Sequence, residues 1–297
     1  MQKALNVICP FCSCLCDDLT IEFEAGTIQN VKNACSLAKE KYLSRKPQEP
    51  RALVAGEKAA LTEAVQLLAK DLVRAKHILI AGLAEADGET QVEAIKLAEY
   101  LGASIAVTTP WPGRKPPLNL WPLFPSCTLG EIKNRADVLI FWNCDPLATH
   151  PRLLEHYLGV DRVGGAEEKG RTMVVIDDHP TGIASQAKLF IQLQEKDHFE
   201  ALTFLRAKLR AKKLAGSIFT GETEAKLEEL CRIIREASLG VIFLGEGGRT
   251  RQGMVNHMGA FRQELNQLGQ FHLLPLDTSA NFLGAEAVMT WQTGYPY

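Results

Sequence analysis

Five of the eight cysteines in this chain lie within its first 35 residues. Four of them, Cys9, Cys12, Cys16 and Cys35, follow the spacing C-x2-C-x3-C with a fourth cysteine after eighteen further residues. Thiolates that converge from a tight loop and one returning turn can surround a [4Fe–4S] cluster. The spacing therefore predicts a metal site of the iron–sulfur type at these four cysteines, and we expect Cys14 to point away from the metal.

The residue types leave two alternatives to the cluster open. A structural zinc ion is also held by four cysteine thiolates in a tetrahedron, so the same residues can form a zinc site. The cysteines can also stand in the sequence as an empty site, because ligand spacing measures the capacity to bind a metal and not its occupancy.

A short β-hairpin is the element that must bring Cys35 back to the loop. Residues 18–24 alternate between polar and apolar side chains, Ala25 and Gly26 are typical of a turn, and residues 27–31 form a second short strand pattern. Two prolines among charged residues at 46–51 are typical of a linker. We therefore expect residues 1–50 to form a small cysteine-rich β segment and residues 51–297 to form an α/β body.

The body alternates short apolar runs with stretches of helical periodicity. Strands are predicted at 77–81, 104–107, 138–142, 173–177, 189–191, 241–245 and 271–276, and helices at 58–75, 89–101, 196–212, 222–237 and 252–268. This βαβ rhythm predicts a doubly wound parallel sheet of the Rossmann-like kind, with helices on both faces. In such sheets ligands bind beyond the carboxyl ends of the strands.

Polar residues follow the strand predicted at 138–142, where this rule places a ligand. Ordinary local structure explains some of the polar residues around this strand, because Thr128 with Glu131 is typical of a helix capping box and Asp145 with Pro146 is typical of a turn. Packing explains His150 and Arg152 least, so both are candidate ligand-binding residues. A glycine-rich turn at 245–250 does not match G-x-G-x-x-G and is weak evidence for a phosphate site.

Composition excludes several classes of function. The formal net charge of −2 gives no basic field for nucleic acid, and the sequence contains no apolar run long enough to span a bilayer. The first residues lack the apolar core of a secretion signal, so we expect a cytoplasmic protein whose cysteines are thiols or metal ligands.

Several blocks, in order along nearly the whole chain, resemble the B subunit of formylmethanofuran dehydrogenase, within the molybdopterin oxidoreductase superfamily. The matching blocks are Cys9–Cys12 with Cys16–Asp18, Asn33–Cys35, Cys127–Asp137, His150–Arg152 and Thr290–Pro296. The resemblance implies a fold that, in redox-active members, holds a tungsten or molybdenum bis-pterin beside a [4Fe–4S] cluster. There a cysteine or selenocysteine in a Cys-His-Gly segment binds the metal.

The chain departs from the redox-active pattern at three places. The stretch that matches the metal-binding segment, residues 108–117, contains no cysteine and no histidine. Asp277, Thr278 and Ser279 stand where a catalytic arginine is expected, and the chain stops before the C-terminal pterin-binding domain. The resemblance therefore implies that the chain's own redox centre is lost, so molybdopterin or tungstopterin is not expected.

This pattern is similar to the B subunit of the bacterial formyltransferase/hydrolase complex. That complex moves a formyl group from a tetrahydromethanopterin carrier to a methanofuran-type coenzyme and hydrolyses it to formate. We expect a non-redox, structural subunit in one-carbon metabolism, with transferase and hydrolase subunits as partners and no catalytic residue of its own. Arg114, Lys115, His150 and Arg152 are candidate contacts for the coenzyme. The alternatives are a tungsten or molybdenum dehydrogenase subunit and an iron–sulfur electron-transfer subunit.

Overall fold

The computed structural model describes residues 1–45, 52–106, 126–159, 170–212, 216, 219, 221–245, 254–276 and 278–295. Contacts divide the chain into two compact units, one of residues 1–112 and 279–297 and one of residues 113–278. The domain boundary predicted at residues 50 and 51 lies outside the described residues and stays a prediction. Among the described residues, no helix has the length and apolar character needed to cross a membrane.

The predicted strands and helices are present with small shifts of their ends, and the structure contains further short strands and helices that were not predicted. The strands are β1 Gln2–Val7, β2 Leu19–Glu24, β3 Thr27–Lys32, β4 Ala52–Val54, β5 Glu57–Ala59, β6 Leu79–Ala81, β7 Ser104–Ala106, β8 Val138–Trp142, β9 Thr172–Asp177, β10 Leu189–Gln192, β11 Leu239–Leu244 and β12 Gln270–Pro275. The helices are α1 Ser36–Leu43, α2 Leu61–Arg74, α3 Gly88–Leu101, α4 Leu129–Arg135, α5 Pro146–Thr149, α6 His198–Leu209, α7 Gly221–Glu236, α8 Met254–Leu265 and α9 Phe282–Thr293.

The N-terminal segment is a three-stranded antiparallel sheet of order β1-β2-β3. Its predicted hairpin is confirmed, and the turn residues Ala25 and Gly26 both have positive φ values, of 47° and 78°. Two such residues suit a tight hairpin turn whose twist matches the twist of the strands. β1 was not predicted, because its residues Gln2–Val7 are mostly exposed and show no clear alternation.

The rest of the first unit contains two further small sheets. β4 and β5 form an antiparallel hairpin, whereas β6 and β7 form a separate two-stranded parallel sheet. α9, from the C-terminal end of the chain, packs on α3 through a buried cluster that includes Ile95, Phe282 and Ala285. The sequence predicted β6 and β7, but it predicted neither the C-terminal helix α9 nor the packing of that helix beside α3.

The second unit is built on a five-stranded parallel sheet of order β10-β9-β8-β11-β12. The chain runs outward from β8 to β10 and then returns to the other side of β8 with β11. All five residues of β8 are buried, as expected for the central strand of a sheet that helices cover on both faces. The predicted α/β class, with a small cysteine-rich β segment and a doubly wound parallel sheet, is confirmed.

Candidate functional site

The cysteine loop, residues 9–16, is closed on itself by its backbone. The amide of Cys9 donates a hydrogen bond to the carbonyl oxygen of Cys16 at 2.8 Å, so the loop begins and ends at the same place. Cys9, Cys12 and Cys16 are all buried, at 5 to 6% exposure, in a segment with few other apolar side chains. The loop therefore gathers its thiols on the inner side.

Side chains in the second half of this loop alternate between the inside and the solvent. Ser13 and Leu15 are exposed, and both have backbone φ in the left-handed region, at 57° and 49°. Side chains other than glycine adopt this conformation at a cost of about 1 kcal/mol each, so it persists only where the surroundings impose it. The result is that Cys12, Cys14 and Cys16 all turn inward.

Cys35 reaches the same part of the unit from the end of the hairpin. It is the residue that precedes α1, and its carbonyl oxygen accepts the amide of Lys39 at 2.9 Å. The side-chain amide of Asn33 donates a hydrogen bond at 3.0 Å to the backbone oxygen of Asp18, just beyond the cysteine loop. The hairpin therefore holds Cys35 beside the loop, as its predicted role as the returning turn requires.

Cys14 contacts another thiol of the loop, and its expected direction away from the metal stays a prediction. Its side chain is 1% exposed and is hydrogen-bonded to the Cys12 side chain. That bond, helped by the charge of Lys41, lowers the pKa of Cys12 to about 6, although burial opposes the shift. The same bond and burial raise the pKa of Cys14, as do the charges of Cys12, Cys16 and Cys35.

The donor set of this loop fits a thiolate-bound metal. None of the eight cysteines, all of which are described, forms a disulfide. Within the described residues, the sole group of at least three metal-ligand atoms that all lie within 4.8 Å of one another is Asp177, Asp178 and His179, so no three of the cysteine sulfur atoms are mutually that close. Four sulfur atoms around a tetrahedral zinc ion, with Zn–S of about 2.3 Å, lie about 3.8 Å apart.

A second region of interest is the carboxyl edge of the parallel sheet, where β8 and β11 end side by side. The chain order reverses between these strands, and ligands bind at such points. The amide of Gly245 donates to the oxygen of Trp142 at 3.0 Å, and a Cβ atom at Gly245 would lie 1.8 Å from the oxygen of Asn143. Only glycine allows the two loops to approach this closely. Residues 246–250 of the predicted glycine-rich turn lie outside the described residues.

The Trp142 side chain fixes a buried histidine at this edge. Its indole N–H donates to Nδ1 of His198 at 2.9 Å, and His198 is fully buried. Since the indole can only donate, Nδ1 accepts and Nε2 carries the proton in the neutral ring. The amide nitrogen Nδ2 of Asn143 lies 3.4 Å from Nε2, and turning this amide by 180° puts its oxygen there to accept the proton.

Thr128 and Asp145, two polar residues near β8, are the N-terminal caps of helices. Thr128 accepts the amide of Glu131 at 3.0 Å at the start of α4, and Asp145 accepts the amide of Leu147 at 3.0 Å at the start of α5. Asp145 also accepts the amide of Gly182 at 2.8 Å, which joins the segment after β8 to the segment after β9. These residues position the edge of the sheet, and capping accounts for them without a ligand.

The candidate coenzyme contacts are only partly described. Arg114 and Lys115 lie outside the described residues. His150 and Arg152 are buried, at 3% and 9% exposure, in the second unit. Nδ1 of His150 lies 2.8 Å from the hydroxyl of Thr149, and Arg152 binds Glu155 with its closest contact at 2.8 Å. The four candidate metal-binding cysteines lie in the first unit, so no single unit contains both sets.

Comparisons with known proteins place the chain in a family. No family model matches it. It is 31% identical over 307 residues to the B subunit of the tungsten-containing formylmethanofuran dehydrogenase 2 of Methanocaldococcus jannaschii, covering 98% of this chain and 70% of the relative. The chain belongs to the formylmethanofuran dehydrogenase B-subunit family. The protein of the same description from Methanococcus maripaludis is 29% identical over 316 residues, covering 100% of this chain and 72% of the relative.

A solved relative supports the fold. A chain in the X-ray structure of the formyltransferase/hydrolase complex from Methylorubrum extorquens, in complex with methylofuran, matches with a TM-score of 0.62 and 23% identity. The match covers 80% of this chain and 64% of the solved one, so this chain spans less than two thirds of that relative. At this identity the likeness shows the fold of this B-subunit family member.

Sequence reasoning missed two features of this family member. Asp177, Asp178 and His179 place ligand atoms within 4.8 Å of one another at the carboxyl end of β9, where the rule for ligand sites in parallel sheets could have drawn attention to them. Burial raises the pKa of Asp177 to about 6, whereas the bond from His179 lowers the pKa of Asp178. Arg171 was also missed, and its contacts with several backbone carbonyls leave no local signal in the sequence.

Proposed function

We propose that this chain is a non-redox B subunit of a formylmethanofuran-handling complex, in which it holds formyltransferase and hydrolase subunits together. Membership of the B-subunit family supports this proposal, as does the fold shared with a chain of a formyltransferase/hydrolase complex. The observation that carries it is the segment 108–117, which contains neither cysteine nor histidine where redox relatives bind their metal. The one-carbon carrier in this proposal is a tetrahydromethanopterin type of coenzyme, and the location is the cytoplasm.

The metal content of the purified complex tests the non-redox role. We expect tungsten and molybdenum to be at most about a tenth of an atom per chain, without extractable pterin, because no thiolate in 108–117 can bind the metal. The complex of the Methanocaldococcus jannaschii relative, prepared in the same way, is the positive control. A content near one tungsten or molybdenum per chain, together with pterin, contradicts the proposal.

A redox dehydrogenase subunit is the second candidate function. The two curated relatives are described as tungsten-containing and match nearly all of this chain, which favours this alternative. The same metal analysis decides between the two, since stoichiometric tungsten supports the dehydrogenase. An iron–sulfur electron-transfer subunit is the third alternative, and the absence of iron from anaerobically prepared protein excludes it.

The cysteine segment is proposed to hold a [4Fe–4S] cluster, with zinc or an empty site as alternatives. The C-x2-C-x3-C spacing with a fourth, returning cysteine supports the cluster, as does the burial of Cys9, Cys12 and Cys16 in one closed loop. In a non-redox subunit, the cluster stabilises the loop by cross-linking residues that are distant in the chain. Iron, zinc and acid-labile sulfide, measured per chain, distinguish the three states.

The proposal extends to the acidic tail of a methanofuran-type coenzyme. Arg114 and Lys115 are the proposed contacts, because His150 and Arg152 are buried and packed against neighbouring side chains. Replacing Arg114 and Lys115 by alanine is expected to weaken methylofuran binding, and increasingly so at low ionic strength. Replacing the exposed Lys70 and Arg74 of α2 by alanine is the matched control. Equal affinity of both variants contradicts this contact.

A further inference from the structure

The cysteine loop contacts a short strap, residues 279–281, that leads into the C-terminal helix α9. The hydroxyl of Ser13, in the middle of the loop, donates to the backbone oxygen of Ser279 at 2.9 Å and lies 3.1 Å from that of Ala280. Ser279 is buried, at 3% exposure, and all these residues belong to the first unit. Since α9 begins at Phe282, the loop is bonded to the residues directly before this helix.

The other side of the strap is bonded to the turn between β6 and α3. The backbone amide of Asn281 donates to the oxygen of Ala84 at 2.7 Å, and its side-chain amide donates to the oxygen of Ala86 at 2.9 Å. The backbone amide of Ala280 donates to a carboxylate oxygen of Glu85 at 3.3 Å. The strap is therefore held between the cysteine loop and this turn, and moving it breaks bonds on at least one side.

Asn281 occupies a capping position, but its side chain bonds to the turn instead of to the helix. An asparagine directly before a helix commonly accepts a hydrogen bond from an amide of the first turn. Such a bond is absent from α9, all of whose residues the structure describes, and the side-chain amide donates to Ala86. The backbone oxygen of Asn281 accepts the amide of Ala285 at 3.0 Å. The start of α9 therefore depends on where Asn281 is held.

Gln91 of α3 fixes the turn to which the strap is bonded. Its side-chain nitrogen donates to the backbone oxygens of Leu83 and Ala86 at 2.9 and 3.0 Å, and it lies 3.4 Å from the oxygen of Asn281. Gln91 has no exposed surface, and a polar side chain is costly at such a depth unless it is bonded. The turn is therefore a firm anchor for the strap.

A bound metal orders the loop that supplies its ligands, because the thiolates must adopt one geometry. Ser13 directly follows the proposed ligand Cys12, so ordering the ligands also fixes the Ser13 hydroxyl. A contact that favours the ordered loop favours metal binding by the same factor by which bound metal favours the contact. A strap that is held in place therefore strengthens metal binding, and bound metal stabilises the start of α9.

We propose that Ser13 and Asn281 are positioning residues of the cysteine site, and that the strap couples metal binding by the loop to the first turn of α9. Neither residue touches the metal in this arrangement. Ser13 joins the loop to the strap, and Asn281 fixes the strap to the turn before α3. The inference rests on metal binding by the cysteine loop and does not depend on whether the protein is redox-active.

Alanine substitutions in the full-length chain test this proposal. Ser13→Ala and Asn281→Ala each remove side-chain bonds on one side of the strap. Each protein is prepared anaerobically without metal and titrated with Co²⁺, whose thiolate charge-transfer band gives the dissociation constant. Clusters reconstituted with ferrous iron and sulfide are followed by the rate of iron loss to a chelator. Thr293→Ala is the matched control, because it removes hydroxyl bonds at the far end of the same helix.

Ser13→Ala and Asn281→Ala are each expected to weaken Co²⁺ binding about fivefold and to speed iron loss by a similar factor, because the loss of one hydrogen bond changes an equilibrium by about this much. Thr293→Ala is expected to bind metal as the wild type does. An affinity within about twofold of the wild type in either strap variant overturns the proposal. So does a wild-type chain that takes up neither iron nor cobalt.

Amide hydrogen exchange gives the reciprocal measurement. Bound metal is expected to slow exchange at Ala285 and in the following turn of α9 about fivefold, and Ser13→Ala is expected to remove this effect. A purely structural strap does not behave in this way, because its loss speeds exchange equally with and without metal. Exchange in α9 that does not respond to metal overturns the proposal. Failure of the non-redox function shows instead as tungsten or molybdenum in the complex, so the two proposals fail on different measurements.

Discussion

The hydroxyl of Ser13 donates a hydrogen bond to the backbone oxygen of Ser279 at 2.9 Å, although 266 positions separate the two residues in the sequence. The same hydroxyl lies 3.1 Å from the backbone oxygen of Ala280. Ser279 is buried, and it precedes α9 by three residues. This contact joins the middle of the cysteine loop to the segment that starts the C-terminal helix.

Ser13→Ala is expected to lower the free energy of unfolding by about 1 kcal/mol, because one hydrogen bond of the loop is lost. Ser13→Gly loses the same bond but relieves the left-handed backbone at φ 57°, so it is expected to be less destabilising than alanine. Chemical denaturation of the wild type, Ser13→Ala and Ser13→Gly measures the order of their stabilities. Equal midpoints for the wild type and Ser13→Ala contradict this role of the hydroxyl.

Gly245→Ala is expected to destabilise the second unit by about 3 kcal/mol, because the new Cβ overlaps the backbone oxygen of Asn143. The distance of 1.8 Å involves backbone atoms, so the ends of β8 and β11 must separate. Gly130→Ala in α4 is the matched control, since its nearest neighbour would be the Thr128 hydroxyl at 3.9 Å. Unfolding midpoints measure both, and a Gly245→Ala protein as stable as the control disproves the close approach.

Arg171 binds the ends of two helical segments at once. Its guanidinium donates to the backbone oxygens of Ile132 and Lys133 in α4, of Ala136 after it, and of Tyr157 and Leu158 at 2.9 and 2.6 Å. Carbonyls in the last turn of a helix generally lack a partner further along it, although that of Ile132 also accepts the amide of Ala136 at 3.2 Å. By bonding to these carbonyls, the Arg171 side chain joins the two ends.

Arg171→Met is expected to cost about 3 kcal/mol, because several partly buried carbonyls lose a charged donor. Arg232→Met in α7 removes an arginine with exposed ion pairs to Glu229 and Glu236, and it is expected to cost less than about 0.5 kcal/mol. Denaturant unfolding of both variants gives the comparison. If the two variants lose similar amounts of unfolding free energy, Arg171 does not stabilise the protein by joining the two helix ends.

Glu22 makes the stability of the N-terminal sheet depend on pH. Bonds from Lys32, Asn30 and Lys3 hold the pKa of Glu22 at about 2, below its ordinary value of 4.5. The unfolded chain therefore binds a proton at higher pH than the folded chain does. The stabilisation is complete above about pH 4.5 and is lost as the pH falls towards 2.

Glu22→Gln is expected to flatten this part of the pH dependence, whereas Glu24→Gln, on the same strand but exposed, is expected to leave it nearly unchanged. Unfolding midpoints at about pH 3, about pH 4 and about pH 7 measure the difference. If the unfolding midpoint of Glu22→Gln depends on pH as strongly as that of the wild type, Glu22 is not the group responsible. Salt is expected to reduce the effect, because the lysine partners are half exposed.

The sequence by itself determined where most strands and helices lie. The run from Val138 to Trp142 is apolar throughout and became the central strand, and Thr128 and Asp145 cap helices through bonds to residues two or three positions ahead. Signals of this kind depend on neighbours in the chain, so a periodicity of 2 or 3.6 reveals them. The order of the cysteines likewise identified the loop and the family it resembles.

Tertiary structure decided the features that depend on distant residues. It placed β11 beside β8, turned Cys14 into the thiol group, and brought Ser13 to Ser279 and Arg171 to the end of α4. The C-x2-C-x3-C pattern does not include Cys14, because it depends only on positions in the sequence. The direction of the Cys14 side chain depends instead on the left-handed backbone at Ser13 and Leu15. Contacts across tens or hundreds of residues leave no local periodicity, and only the folded chain brings these groups together.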